Sequence, residues 1–295
     1  MTDIAGVLNI DKSAGMTSHD VVNRVRRVAQ TRRVGHAGTL DPLATGVLLL
    51  CLGRATRLVE YLVGQPKVYE AEIRLGQTTN TYDADGEVVQ ERPLTFSPQD
   101  LENALAQFRG EIEQVPPMFS AIKQDGQPLY KLARQGKEVA RKTRQVTIFD
   151  LSVLAWDAPH LTVRVACSSG TYIRSLAHDL GEVLGCGGHI TQLRRTAVGD
   201  FWVDTAVSLD DLSPENISSH LLPLDTAVAH LPRLDLTIQE SDDLLQGKQT
   251  SSPSPHSPQT LARAYNPQAE FIGVVTATND GWRAKKMFHP QENDS

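Results

Sequence analysis

No stretch of roughly 18 apolar residues, the length that would span a bilayer, occurs anywhere in this 295-residue sequence. A helix that crosses a membrane unaided is therefore excluded. The start, Met1-Thr2-Asp3-Ile4, has no basic region leading into an apolar core of the secretory kind, so a cytoplasmic location is the default expectation. Cysteine is scarce. Cys51, Cys167 and Cys186 cannot all pair within one chain, and two of them stand in or beside apolar runs where a reduced thiol behaves as a small hydrophobe. A disulfide scaffold is not expected, and no internal repeat is present.

Several chemical signatures are missing as well. Gly185-Cys186-Gly187-Gly188-His189-Ile190 has no glycine at the last place of a dinucleotide fingerprint, and Gly136-Lys137-Glu138 lacks the Ser/Thr and preceding glycine of a phosphate loop. A calcium loop opening at Asp83 would place Leu94, which cannot chelate, at its twelfth position, so Asp83 and Asp85 read as turn residues or polar site contacts. Cys186 and His189 have ligand-like spacing but no second pair to close a zinc site.

Positive charge is lacking overall: the formal net charge is −6. Its distribution is uneven. Residues 1–199 carry 23 Lys/Arg against 21 Asp/Glu, whereas residues 200–295 carry 6 against 14. Between residues 120 and 145 stand Lys123, Lys131, Arg134, Lys137, Arg141, Lys142 and Arg144 with Tyr130 among them, against only Asp125 and Glu138. Such a segment could follow a phosphate backbone, although a charge cluster by itself is more often a solvated helix face.

What is present reads as a mixed α+β protein. A strand is expected at Gly6-Val7-Leu8-Asn9-Ile10, then a helix N-capped by Ser18 with Val21, Val22, Val25 and Val28 on one face and Arg24, Arg26 and Arg27 displayed. Strands are expected at Tyr69–Leu75, Val88-Val89, Gln145–Phe149 and Leu161–Ala166, with helices over Pro98–Phe108 and from near Thr171 toward Gly185. Helices and strands intermix without regular alternation, which favours a mixed sheet over a doubly wound one. Composition changes near residue 230. Beyond it lie a helix-like Gln239–Gln246, strands at Phe271–Ala277 and Trp282–Phe288, and the low-complexity Ser251-Ser252-Pro253-Ser254-Pro255-His256-Ser257-Pro258 in a loop expected to be disordered near 249–259.

The most informative stretch is Gly35-His36-Ala37-Gly38-Thr39-Leu40-Asp41-Pro42-Leu43-Ala44-Thr45-Gly46. It presents one carboxylate, Asp41, in a turn where three glycines leave room for a ligand and Pro42 biases Asp41 toward an extended backbone. The apolar run Val47–Leu52 follows and anchors it. An ionised Asp held in this way suits a nucleophile, a base or a metal ligand.

Three further stretches stand beside it: Lys67-Val68-Tyr69, Cys167-Ser168-Ser169-Gly170-Thr171-Tyr172-Ile173-Arg174-Ser175-Leu176, and Leu193-Arg194-Arg195-Thr196-Ala197-Val198-Gly199. With Asp41, and with Asp11-Lys12-Ser13-Ala14-Gly15-Met16-Thr17-Ser18, they resemble the tRNA pseudouridine synthase B family across roughly residues 6–200. The resemblance implies conversion of the T-loop uridine at tRNA position 55 into pseudouridine, without cofactor or metal. It implies a pseudouridine synthase-like fold: a mixed, largely antiparallel central sheet with flanking helices over residues 1–230, a thumb-like insertion about 117–145 gripping the tRNA T arm, and a PUA-like β-rich module over 231–295. Asp41 matches the catalytic Asp, Tyr69 the active-site Tyr, and Arg174 the Arg paired with the Asp. His36 matches the residue that fills the space left by the extruded base, and Tyr172 and Leu193 match residues lining the uracil. Lys12, Asp83, Arg134 and Arg144 are expected among the substrate contacts. A monomer with no obligatory protein partner and no membrane association is expected. Two other readings stay open: an RNA-binding protein without catalysis, and a small-molecule hydrolase using Asp41 as nucleophile, although the second lacks the Asp-x-Asp signature expected after a first strand, and the basic insertion also counts against it.

Overall fold

Every residue of Val47-Leu48-Leu49-Leu50-Cys51-Leu52 is fully buried, and the way the run is covered explains the layering of the molecule. Successive strand side chains point to opposite faces. In the computed structural model, Leu48, Leu50 and Leu52 join one core with Leu8, Ile10 and the helix residues Val21, Val22 and Val25. Val47, Leu49 and Cys51 join a second with Val7, Leu58, Leu62, Val274 and Phe288. Each fully buried Leu contributes about 1.5–3 kcal/mol, so this strand anchors both layers. The structure describes residues 4–120, 122–124, 126–133, 135–137, 139–250 and 257–289. Arg134 and most of the loop expected at 249–259 lie outside the described residues.

The main sheet runs in the order Val207–Ser208, Gly6–Lys12, Thr45–Leu52, Gly188–Val198, Lys67–Leu75, His160–Cys167, Arg144–Asp157, Gly110–Gln114. Gly6–Lys12 with Val207–Ser208, and Thr45–Leu52 with Gly188–Val198, pair in parallel; the other neighbours along this path are antiparallel. The helices Ser18–Val28, Pro98–Ala106 and Ile173–Val183 bury their apolar faces in the first core. This is the mixed, largely antiparallel α+β architecture expected.

Two local expectations need correction, and one central strand carries no clear signal in the sequence. The first helix is capped by Thr17, whose side chain accepts from the Asp20 amide while Asp20 accepts from the Thr17 amide. Ser18 is freed for another task described below. The strand expected at Gln145–Phe149 extends from Arg144 to Asp157, crossing two irregularities in register. Gly188–Val198, which carries no clean apolar alternation, is a central strand of the sheet.

Between the paired strands Gly110–Gln114 and Arg144–Asp157 the chain makes an excursion containing the short hairpin Lys123–Gln124 and Gln127–Pro128 and the helix Leu129–Ala133. The basic stretch lies here. The C-terminal β module is a four-stranded sheet in the order Arg233–Asp235, Leu261–Tyr265, Phe271–Thr278, Gly281–Met287, covered by the helix Ile238–Leu245. Leu236, Leu244, Ile272, Val275 and Trp282 form its own core.

Candidate active site

The Asp41 loop is held from three sides. The Ser18 hydroxyl accepts from the Leu40 amide at 2.8 Å and lies 3.1 Å from the Leu40 carbonyl, tying the residue before Asp41 to the first helix. Lys12, fully buried, donates its ammonium to the carbonyls of Ser13, Pro42 and Ala44 at 3.0, 3.3 and 2.5 Å. Arg195, 1% exposed, donates Nε to the Val47 carbonyl at 2.7 Å and Nη2 to the Gly38 carbonyl at 3.2 Å. Gly46 adopts φ +96°, and a Cβ there would stand 2.2 Å from the Arg195 carbonyl oxygen. Only glycine meets both demands.

Arg174 approaches from the opposite side, in the first turn of Ile173–Val183. Its Nε lies 3.0 Å from Asp41 Oδ2 and its Nη1 3.1 Å from Asp83 Oδ2. Nη1 also donates to the Thr81 carbonyl at 3.2 Å and Nη2 to the Phe119 carbonyl at 2.7 Å. All three guanidinium nitrogens are engaged, so the planar group cannot swing away from Asp41. Asp83 is itself fixed by the Thr81 hydroxyl and the Asp85 amide. Arg174 and Asp83 are closed to solvent, while 36% of the Asp41 side chain is accessible through the mouth of the site.

The helix carrying Arg174 lacks a side-chain N-cap from its own sequence. Gln114, at the end of its strand, supplies one: its side-chain oxygen accepts from the Tyr172 amide at 3.0 Å and its side-chain nitrogen donates to the Tyr172 carbonyl at 3.2 Å. Ser175 donates to the Val115 carbonyl at 2.8 Å. The base of the insertion and the start of this helix are therefore one unit.

Burial pushes the Asp41 carboxyl up from its ordinary value; Arg174 and Lys12 pull it down, and the negative charges of Asp83 and Asp85 oppose them. Burial lowers Lys12 to about 8 against the pull of Asp41. It likewise lowers Lys67, which donates to the Val63 and Gln65 carbonyls, to about 8. The Tyr69 hydroxyl is raised by burial and drawn back down by Arg195. His36 is lowered by burial, with Arg195 adding to the effect. The site thus holds one accessible carboxylate beside several buried cations, each already bonded to backbone carbonyls.

Of the residues singled out in the sequence, Asp41, Arg174 and Asp83 are in direct contact, and Tyr69, Tyr172 and Lys12 lie within electrostatic reach of Asp41. Leu193, two residues before Arg195, pairs across the sheet with Ala71, two residues after Tyr69. Leu193 and Tyr69 are 7% and 8% exposed. The Arg144 guanidinium carbon stands 5.7 Å from the Tyr172 ring centroid, which brings the edge of the basic stretch to the site. His36 pairs with Leu50 across the strands that flank the loop. Lys12 braces the loop from within and has no open face for a ligand. Sequence reasoning missed Gln114 and the bracing role of Arg195. Arg195 lies in a quoted motif, but the bond that defines its role spans 148 positions of sequence.

A model of the TruB family pseudouridylate synthase N-terminal domain matches residues 26–173, and one of the tRNA pseudouridylate synthase B C-terminal domain matches residues 174–229. The chain belongs to the tRNA pseudouridine synthase B family. Proteins of that name from Ralstonia pickettii (strain 12J) and Azoarcus sp. (strain BH72) are 49% and 48% identical to it, over 97% and 98% of this chain and 95% and 96% of theirs. Among solved structures, a chain in the crystal structure of a Cbf5-Nop10-Gar1 complex is similar with a TM-score of 0.77 and 27% identity, over 97% of this chain and 86% of that one. A chain in the structure of an H/ACA RNP bound to a substrate RNA containing 2'-deoxyuridine is similar at 0.76 and 25%. The family is one of tRNA-modifying isomerases. Among the described residues no helix is long and apolar enough to cross a membrane.

Proposed function

We propose that this chain converts uridine to pseudouridine in tRNA, at the T-loop uridine of position 55, with Asp41 as the reacting carboxylate. The observation that carries the reading is the Arg174–Asp41 pair, 3.0 Å apart, with Asp41 accessible and Arg174 closed off. The reaction breaks the bond between ribose C1′ and uracil N1, turns the base and joins C1′ to C5; the proton on C5 is lost and one is gained at N1. No electrons enter or leave. Attack on C1′, addition to uracil C6, and assistance to a glycal-like route all use an ionised Asp41. Burial opposes that ionisation, and a guanidinium fixed on four partners offsets the opposition.

A uridine inside a folded loop must leave its stack before its atoms can be reached, at a cost of a few kcal/mol. Tyr69 offers a ring for the extruded uracil and a hydroxyl for proton transfer; Tyr172 and Leu193 line the base, and His36 fills the gap left in the RNA. Arg144 and the lysines of the basic stretch take phosphates. Asp83 acts through Arg174, and Lys12 through the loop it braces. The experiment is incubation of the purified chain with an unmodified tRNA transcript, without added cofactor, followed by mapping of pseudouridine. Modification of the T-loop uridine is expected; modification confined to another position would overturn the assignment of the site.

A further inference from the structure

The helix Ile173–Val183 grips one tight turn with two side chains a helical turn apart. Arg174 takes the Thr81 carbonyl and the Asp83 carboxylate. His178, at i+4 and thus on the same face, stacks on Tyr82 with ring centroids 3.9 Å apart and planes within 9°. Three consecutive residues, Thr81, Tyr82 and Asp83, are held by that face. Tyr82 has φ +62°, a left-handed conformation that a bulky residue keeps only where its surroundings enforce it. The turn is tied further by the bond from the Ile190 amide to the Tyr82 carbonyl and from the Thr79 hydroxyl to the Asp83 carbonyl. Among the described residues His178 Nδ1 is buried without a hydrogen-bond partner, and the stack on Tyr82 is the contact its ring makes. Burial also favours its neutral form.

We propose that Tyr82 and His178 are a positioning pair for the isomerisation: their stack fixes the turn that presents Asp83 to Arg174, and so aims Arg174 at Asp41. This rests on the reading of Asp41 and Arg174 as the reacting pair. Neither ring touches substrate. Their effect passes through the guanidinium, which has Asp41 on one side and the turn on the other. Loss of the stack lets Asp83 and the Thr81 carbonyl drift and leaves Arg174 free to follow them.

The test is the single-turnover rate of pseudouridine formation at saturating tRNA, with tRNA affinity and thermal midpoint measured alongside, for Tyr82→Gly, His178→Ala and His178→Phe. Glycine accepts φ +62° without strain, so Tyr82→Gly removes the ring while relieving the backbone. Tyr82→Gly and His178→Ala are expected to slow the chemical step about tenfold or more with affinity nearly unchanged, because small displacements of reacting groups are costly. His178→Phe, which keeps a ring face, is expected to restore the rate to within about threefold of wild type. Wild-type rates for Tyr82→Gly and His178→Ala, whatever their melting behaviour, would overturn the proposal and leave the rings as packing. A His178→Phe rate as low as that of His178→Ala would overturn it too. An Asp41→Asn control separates this from failure of the underlying reading: turnover in that variant refutes Asp41 itself, whereas a dead Asp41→Asn beside normal Tyr82→Gly and His178→Ala refutes only the positioning pair.

Discussion

At the scale of single residues, the proposed chemistry trades stability for reactivity at Asp41. A carboxyl whose folded-state pKa is raised binds its proton more tightly in the native chain than in the unfolded one. Its contribution to stability is then largest in acid and is lost as pH rises from the ordinary 3.8 through the raised value. Asp41→Asn removes a charge that the fold disfavours at neutral pH and keeps the shape. Its thermal midpoint at pH 7 is expected to exceed that of wild type, with the difference closing below pH 3.8. An equal or lower midpoint at pH 7 would mean that the Arg174 pair outweighs burial. Tyr69 separates two roles in one side chain. Tyr69→Phe keeps the ring and loses the hydroxyl, and is expected to bind tRNA normally but to turn over more slowly. Normal turnover would reduce Tyr69 to a stacking surface.

At the scale of elements, the close crossing of the strands Thr45–Leu52 and Gly188–Val198 sets the loop. Gly46→Ala combines a disfavoured φ of +96° with a Cβ pressed 2.2 Å from a backbone oxygen, neither of which a side-chain rotation relieves. It is expected to cost roughly 2–4 kcal/mol, seen as a lower denaturant midpoint, and to reduce turnover by displacing Asp41. A wild-type midpoint would show that the crossing opens easily. The apolar run Val47–Leu52 and the valines of the first helix were legible in the sequence, the run because it is unbroken and the valines because their helical spacing marks one buried face. The strand Gly188–Val198 was not: Gly188, His189, Gln192, Arg194 and Arg195 break the apolar alternation, and their partners come from strands far away in sequence. Leu261–Tyr265 escaped for a related reason, its alanines and arginine carrying little strand preference. Asp41, Tyr69 and Arg174 stood out through their motifs, but the contacts of Gln114 with Tyr172 and of Ser18 with Leu40 exist only once the chain is folded.

At the scale of the whole molecule, charge and packing divide the labour. The C-terminal module shares a core with the central sheet through Val274 and Phe288. It is clasped by Arg57, which donates to the Met287 carbonyl, and by the Lys286–Glu60 pair. With 6 basic against 14 acidic residues from position 200 onward, this last third of the chain braces the fold more readily than it attracts phosphate. The basic excursion is the RNA surface we propose. Arg141 and Arg144 have structural contacts, to the Pro116 carbonyl and the Tyr172 ring, whereas Lys131, Lys137 and Lys142 are exposed. Replacing these three lysines with Gln is expected to weaken tRNA binding and flatten the dependence of log affinity on log salt, with little change in the single-turnover rate. An unchanged salt slope would move the RNA contact to the Arg24–Arg33 region.

If Asp41 performs the isomerisation in the site assembled around it, removing its charge alone abolishes the chemistry. The most direct measurement is site-resolved pseudouridine formation on an unmodified tRNA transcript by wild type and Asp41→Asn at matched, saturating occupancy. The expected result is modification of the T-loop uridine by wild type and none by Asp41→Asn, with the two proteins binding tRNA within about a few fold of each other. Substantial pseudouridine at that position from Asp41→Asn would contradict the account.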